Sequence, residues 1–215
     1  GAVRSTQKLL RRDGYSGVAV NGLFDGRTER AVASFQRKEH LDATGDVNAK
    51  TLSDLKHFSQ GPSVDRSKIY LRQPNGWSCA PTSLTMAEAA WGVAKPTDAT
   101  MFRLAKDMGD GPGTGLPGNA SLIAAQARRD GLKATYNPST QASAVRQALK
   151  EGRSCVVNGS LGVGGHFIYI GGLDSHGRFR VFDPFRPYVH SWSDADLNAF
   201  THVGTNPPGF AEIWK

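Results

Sequence analysis

At 215 residues, with 39% hydrophobic and 21% charged residues, the chain has the composition of a globular protein of one large or two modest domains. No apolar run approaches the ~20 residues that span a bilayer, so no membrane insertion is expected. The net charge of +7 is spread as +3 over residues 1–60 and +4 over the rest, with no basic stripe and no clustered aromatics, which argues against nucleic acid and leaves only a diffuse attraction to polyanionic surfaces.

The chain opens on helical patterns. Val3, Gln7 and Leu10 share a face over Val3–Arg12; Ala31, Val32 and Phe35 do so over Thr28–Lys38, and Leu52 and Leu55 over Ala49–Phe58. A minimal three-helix bundle is expected. Within it FDGRTERAV at 24–32 aligns with VNAKTLSDL at 47–55, an offset of 23 residues. Each copy places an apolar residue, Phe24 or Val47, before Asp25 or Asn48, whose side chain can cap the orphan N–H groups of a first helical turn. Arg27 and Thr28 then match Lys50 and Thr51. The periodicity lapses into Ser, Gly and Pro at HFSQGPSVDR, 57–66, which predicts a bundle at 1–58, a linker at 59–67 and a second domain at 68–215.

In that second domain helical patterns precede strand patterns. Leu84, Ala87 and Trp91 share a face over Ala80–Trp91, and GDGPGTGLPG at 109–118 reads as a loop. Helices follow over Ser121–Asp130, closed by Gly131, and Ala142–Glu151, closed by Gly152. SCVVNG, HFIYIG, RFRVFD and PYVHSW then read as strands, with DSHG at 174–177 as a hairpin turn. Helices first and an antiparallel sheet second make the fold class α+β.

Two cysteines, Cys79 and Cys155, are too few for a disulfide scaffold and lack metal-site spacing. They either pair or leave at least one thiol free. Cys79 opens the Ala80–Trp91 helix after the turn-like PNGWS and before Pro81, and a helix N-terminus favours a thiolate. Taken alone such a cysteine is more often a buried small hydrophobe; its company changes the balance. Gln73, six residues earlier, can place an amide N–H beside the attack site, joined there by the backbone N–H of Cys79. His166 heads a strand after GVGG, where an imidazole can face a cleft, and Asp183 in FDP follows the DSHG hairpin that can bring it beside the ring. Trp77 lines the cleft or packs in the core, with equal weight. Cys155, in an apolar strand, reads as a buried free thiol. His40, His57, His176, His190 and His202 read as surface or structural, and neither HxxxH nor HxH occurs, so no metal and no other cofactor is expected.

Two resemblances sharpen this reading. Val3, Gln7 and Leu10 followed by GLFDGRTERAVASFQ are similar to the peptidoglycan-binding-domain-1 family over about residues 2–57, which implies a three-helix module docking a partner domain onto peptidoglycan. QPNGWSCAPTSLTM, GGHFIYIGGLD and VFDPF resemble the papain-like clan and, more narrowly, the C39-like peptidases over about residues 68–215. That resemblance implies Cys79 as nucleophile, His166 as general base and acid, Asp183 as its orienter and Gln73 as oxyanion donor. Ala80 stands where the family usually has Gly, a change that leaves the backbone N–H free. The branch that processes double-glycine leaders works with a membrane transporter, so its substrate does not carry over.

Together the two modules imply a cysteine peptidase cutting stem or cross-link peptides of peptidoglycan, to lyse rival bacteria or remodel the producer's own wall. An amidase cutting between sugar and stem peptide, a secreted proteinase acting on proteins and a non-catalytic wall-binding protein are the alternatives. A secreted or periplasmic location is expected; the chain starts on a helical pattern without a basic-then-apolar leader, so an export signal is expected to have been removed or export to run by another route. An immunity or inhibitor protein is a partner that the sequence leaves open.

Overall fold

The computed structural model describes every residue except 14, 40, 60, 61, 63, 64, 114, 117, 118, 163, 175, 187, 188 and 203–207. The chain divides into one compact unit over Gly1–Gly61 and another over Pro62–Asp174 and Arg178–Lys215.

The first unit holds α1 (Ala2–Arg12), α2 (Gly26–Lys38) and α3 (Ala49–Ser59), each within two residues of the span that periodicity predicts. Leu10, Val18, Ala31, Val32, Phe35 and Leu55 form its core. The internal repeat is a structural repeat. Asp25 Oδ1 accepts from both the Thr28 backbone N–H and hydroxyl at 2.8 Å. Asn48 Oδ1 does the same for Thr51 at 2.8 and 3.0 Å. A buried glutamine anchors each loop. Gln7 Nε2 donates to the Leu23 carbonyl at 2.8 Å and its Oε1 accepts from Gly22 N–H at 2.8 Å. Gln36 Nε2 donates to the Asp46 carbonyl at 2.7 Å and its Oε1 accepts from Gly45 N–H at 2.9 Å. Gly22 and Gly45 sit at φ of 85° and 81°, a left-handed conformation that glycine adopts without strain. Two helix–loop–helix copies thus overlap, sharing α2.

The second unit is a two-sided α+β sandwich. Its helices are α4 (Arg66–Ile69), α5 (Cys79–Ala90), α6 (Asp98–Met108), α7 (Ala120–Arg129), α8 (Ala142–Lys150) and α9 (Asp194–Thr201). Its strands are β1 (Lys133–Asn137), β2 (Ser154–Ser160), β3 (Gly165–Leu173), β4 (Phe179–Phe182), β5 (Val189–Trp192) and β6 (Phe210–Trp214). They form one sheet in the order β1-β6-β2-β3-β4-β5, antiparallel at every junction. Alternation along each strand feeds two cores. Val156, Phe167, Tyr169, Phe182, Ala211 and Ile213 pack against α5–α7, whereas Cys155, Val157, Ile168, Ile170, Val181 and Phe210 pack against α8 and α9.

Several elements depart from the expected order. A strand, β1, separates α7 from α8, and it and the C-terminal β6 extend the expected four strands to six. Two full helices lie in stretches that carried no expectation, α6 and α9, and the short α4 begins inside the expected linker, capped by Asp65. In the Gly- and Pro-rich stretch the described residues of 109–118 form neither helix nor strand; residues 114, 117 and 118 lie outside the described residues. The β3–β4 hairpin closes with Asp174 N–H donating to the Arg178 carbonyl at 2.8 Å, with residue 175 outside the described set.

Candidate active site

The residues with candidate chemistry converge from three elements: the N-terminus of α5, the start of β3 and the turn after β4. Asn75 Oδ1 accepts from Trp77 and Ser78 N–H at 3.2 and 3.0 Å, an Asx-type turn that steers the chain into α5. Ser78 is the cap residue and Cys79 the first helical residue. Pro81 follows in the first turn, where no intrahelical N–H is needed. Cys79 is half-buried against the α5–α7 core.

His166, 7% exposed, opens β3 and donates through Nε2 to Asp183 Oδ1 at 2.8 Å. That bond leaves Nδ1 as the ring nitrogen available to Cys79, whose thiol interacts with the imidazole. The imidazole is pushed up to about 9: burial opposes its charge, but hydrogen bonds to Asp183 and Cys79 outweigh burial. Asp183 is fully buried. Burial raises its carboxyl, and His166 together with the Phe185 and Arg186 N–H groups more than reverses this, leaving it below the ordinary carboxylate range. The Phe185 N–H lies 2.9 Å from Oδ1, while Oδ2 is buried without a hydrogen-bond partner among the described residues.

Neighbouring elements hold this geometry. The Ser83 hydroxyl donates to the Phe167 carbonyl at 3.0 Å, fastening α5 to β3 one residue from His166. The Tyr70 hydroxyl is shared between the Asp183 and Arg186 carbonyls, both at 3.2 Å, and Gln73 N–H donates to the Pro184 carbonyl at 2.9 Å. Residues 70–73 therefore clasp the turn that carries Asp183. Phe185 and Phe200 stand edge-on to the imidazole, at centroid distances of 6.5 and 6.4 Å. Gly159 is the register partner of His166, and a Cβ there would overlap the Phe200 ring. Ser160, accepting from Gly162 N–H at 3.0 Å and donating to the Gly164 carbonyl at 2.8 Å, orders the GVGG turn ahead of His166; residue 163 lies outside the described residues.

The structure joins Cys79, His166 and Asp183 through side chains. It ties Gln73 to the Asp183 turn by its backbone, while the Gln73 Nε2 donates to the Asn75 carbonyl at 2.6 Å and carries a second hydrogen that can serve another acceptor. Trp77 is half-buried, its ring 6.4 Å from that of Phe102. Sequence reasoning missed Tyr70, Ser83, Gly159, Phe185 and Phe200; of these only Gly159, a glycine inside a strand, carries a signal of close approach.

The family comparisons fall on the same two regions. Residues 67–203, more than half of the sequence, match the model described as Peptidase_C39 like family. The chain belongs to this family. Ahead of that C39-like domain, residues 1–55 match a peptidoglycan binding domain, so the module order is a wall-binding domain followed by a peptidase-family domain. A search of curated proteins gave no match. The C39-like domain has the helices and antiparallel sheet of a papain-like α+β fold. Among the described residues no helix is long and apolar enough to cross a membrane, and no group of three or more His, Cys, Asp or Glu side chains could hold a metal ion.

The remaining candidates separate from this site. Cys155 is a free thiol, fully buried on the α8–α9 face of the sheet, whereas Cys79 packs on the α5–α7 face. Burial pushes the Cys155 thiol well above its ordinary value. His202 caps the C-terminus of α9 instead of lying in a loop, with Nδ1 donating to the Asn198 carbonyl at 2.6 Å. His190 lies on β5 and His57 in α3; His40 is outside the described residues.

Proposed function

We propose that the chain is a secreted or periplasmic thiol hydrolase that cleaves peptide bonds in the stem or cross-link peptides of peptidoglycan. The observation that carries this reading is the His166–Asp183 hydrogen bond with Cys79 beside the imidazole at a helix N-terminus. A helix N-terminus and a neighbouring imidazolium both favour a thiolate. Cys79 Sγ attacks the scissile carbonyl, and the oxyanion meets the Cys79 backbone N–H and the second Gln73 Nε2 hydrogen. His166 then gives its Nδ1 proton to the leaving amine, leaving a thioester on Cys79. Water enters, His166 takes its proton, the hydroxide adds to the thioester, and the acid product leaves as the thiol is restored. Asp183 holds the ring in the tautomer that presents Nδ1 to sulfur and stabilises the imidazolium. Trp77, two residues before Cys79, lies where it can line the cleft beside the acyl group.

The matched wall-binding domain supports peptidoglycan as the substrate, because tethering raises local substrate concentration without altering the active site. An amidase cutting between sugar and stem peptide would use the same side chains. Purified peptidoglycan incubated with the wild type and with Cys79→Ala distinguishes the readings. Soluble fragments from the wild type alone, read by mass spectrometry, are expected, and their masses name the bond. Fragments from both proteins, or from neither, overturn the thiol mechanism on this substrate.

A further inference from the structure

The N-terminal unit contains its own internal control. Aligning 24–32 with 47–55 sets Arg27 opposite Lys50 and Ala31 opposite Asp54. In the second copy Lys50 Nζ lies 2.8 Å from Asp54 Oδ2, one turn along α3, so its charge is answered within the helix. In the first copy the acidic partner is replaced by Ala31, and the residue opposite Ser53 is a second arginine, Arg30. Among the described residues neither Arg27 nor Arg30 forms an ion pair; the Arg27 side chain acts on Asp25 only through space, and the Asp25 carboxylate is occupied by the first-turn N–H groups and the Thr28 hydroxyl. The acids nearest Tyr15 are answered elsewhere, since Lys38 Nζ lies 3.2 Å from Asp13 and 3.6 Å from Glu39.

The small side chain of Ala31 also leaves room. A cleft of about 270 Å³ opens there, lined by Tyr15, Gly17, Val18, Arg27, Arg30 and Ala31. Its floor is apolar, with Val18 and Ala31 2% and 8% exposed, and the exposed residues Arg27 and Arg30 line it beside them. Burial pushes the Tyr15 phenol up to about 12, so it stays neutral and adds no negative charge to the cleft.

We propose that this cleft is the wall-binding site of the N-terminal unit and that its ligand is the stem peptide of peptidoglycan, with peptide carboxylates on Arg27 and Arg30 and alanine methyl groups on the Val18–Ala31 floor. The proposal rests on the peptidoglycan-binding reading of this unit and specifies which part of the polymer it recognises. Guanidinium groups suit carboxylates through paired N–H donors; the sugars offer hydroxyl and acetamido groups instead, and the lone lactyl carboxylate that amidase hydrolysis exposes lacks the alanine methyl groups that the floor takes. The first copy is thereby the binding copy, and the second, with its internal ion pair, is structural.

The test uses the full chain in a Cys79→Ala background, so that the polymer stays intact, sedimented with purified sacculi and with sacculi whose stem peptides have been removed by an amidase. Binding to intact sacculi and not to the stripped glycan is expected. Arg27→Gln with Arg30→Gln, and separately Ala31→Asp, each weaken that binding by about tenfold or more, as expected for charged hydrogen bonds. Lys50→Gln, the matching change in the second copy, leaves it within twofold. Circular dichroism melts check that each variant is folded, and the exposed arginine pair keeps the test valid if Ala31→Asp disturbs packing. Equal binding to intact and stripped sacculi, or full binding by the arginine variant, overturns the stem-peptide site while leaving the peptidoglycan-binding reading in place. No binding to either preparation overturns both.

Discussion

Cys79 and Cys155 are the same functional group on opposite faces of one sheet, and their surroundings give them different chemistry. Cys79 is half-buried at the first position of a helix, against an imidazole that Asp183 keeps charged. Cys155 is fully buried near the start of β2, packed by the side chains of α8 and α9, and burial first, with the charge of Glu212 adding to it, holds its proton in place. Burial without a partner silences an ionisable group, whereas burial with a partner tunes it.

The largest effect expected from this contrast is in alkylation. In the native protein a small alkylator modifies Cys79 on the order of a thousandfold faster than Cys155, because a core strand exposes its thiol only by opening. Peptide mapping by mass spectrometry over time reads both rates at once, and comparable rates would sink the assignment of Cys79 as the reactive thiol. Removing the partner is the next test. Asp183→Asn replaces the charged acceptor of His166 with a neutral amide oxygen, so the alkaline limb of kcat/KM, expected at about pH 9 in the wild type, moves to lower pH. The rate at neutral pH falls by about a hundredfold, the scale of general acid–base catalysis. A limb that stays in place would show that His166 titrates independently of Asp183.

A third change lies on β2, which carries Cys155 at one end and pairs with His166 at the other. Gly159→Ala drives a methyl group into the Phe200 ring, which in turn stands against His166. Overpacking of this kind costs about 1–3 kcal/mol. A lower Tm is expected together with reduced activity at temperatures where the protein is still folded. Gly159→Ala with Phe200→Leu recovers part of the stability, and an unchanged Tm in the single variant would mean that Phe200 swings aside at no cost.

The parts of this arrangement that the sequence exposes are those governed by local rules. The helix start at Cys79, the caps at Asp25 and Asn48, and the strands that begin at His166 and end before Asp183 follow from spacing and residue type. The α6 helix carries equally local signals: Thr97 caps it, Met101, Leu104 and Ala105 form its buried stripe, and Gly109 ends it in the left-handed conformation. So does α9, whose Ser193 and Asp196 make a capping box. By contrast β1 and β6 are five residues each and pair across the whole C-terminal half of the chain. Phe210 and Glu212 face one side, Ala211 and Ile213 the other, and nothing local marks either segment as a strand. The clasp of Tyr70 and Gln73 on the 183–186 turn likewise spans more than a hundred residues of sequence, with hydrogen bonds to backbone carbonyls that no side-chain pattern announces.

The last expected effect concerns a second buried acid, on the same helix as Cys79. Glu88 is fully buried on α5, with Arg103 Nη2 3.6 Å away. Among the described residues neither of its oxygens has a hydrogen-bond partner as a carboxylate; protonated, it donates to Asp130, which also accepts from Arg103 and Gln126. Burial first, and then Asp130, push Glu88 from its ordinary 4.5 up to about 9 against the pull of Arg103. The folded protein therefore keeps a proton between those pH values that the unfolded chain releases, so stability falls as pH rises through the window, at up to about 1.4 kcal/mol per pH unit. His166, raised from 6.5 to about 9, adds a slope of the same sign over the upper part of that window. Glu88→Gln supplies a donor to Asp130 that needs no proton. The variant is expected to gain on the wild type steadily from pH 5 to pH 8 in denaturant titrations, to retain the His166 slope above pH 6.5, and to keep its hydrolytic rate, since Glu88 lies nine residues along the helix from the thiol. If the two proteins lose stability in parallel across the whole range, Glu88 is ionised in the fold, and burial on α5 does not hold a proton as it does at Cys155.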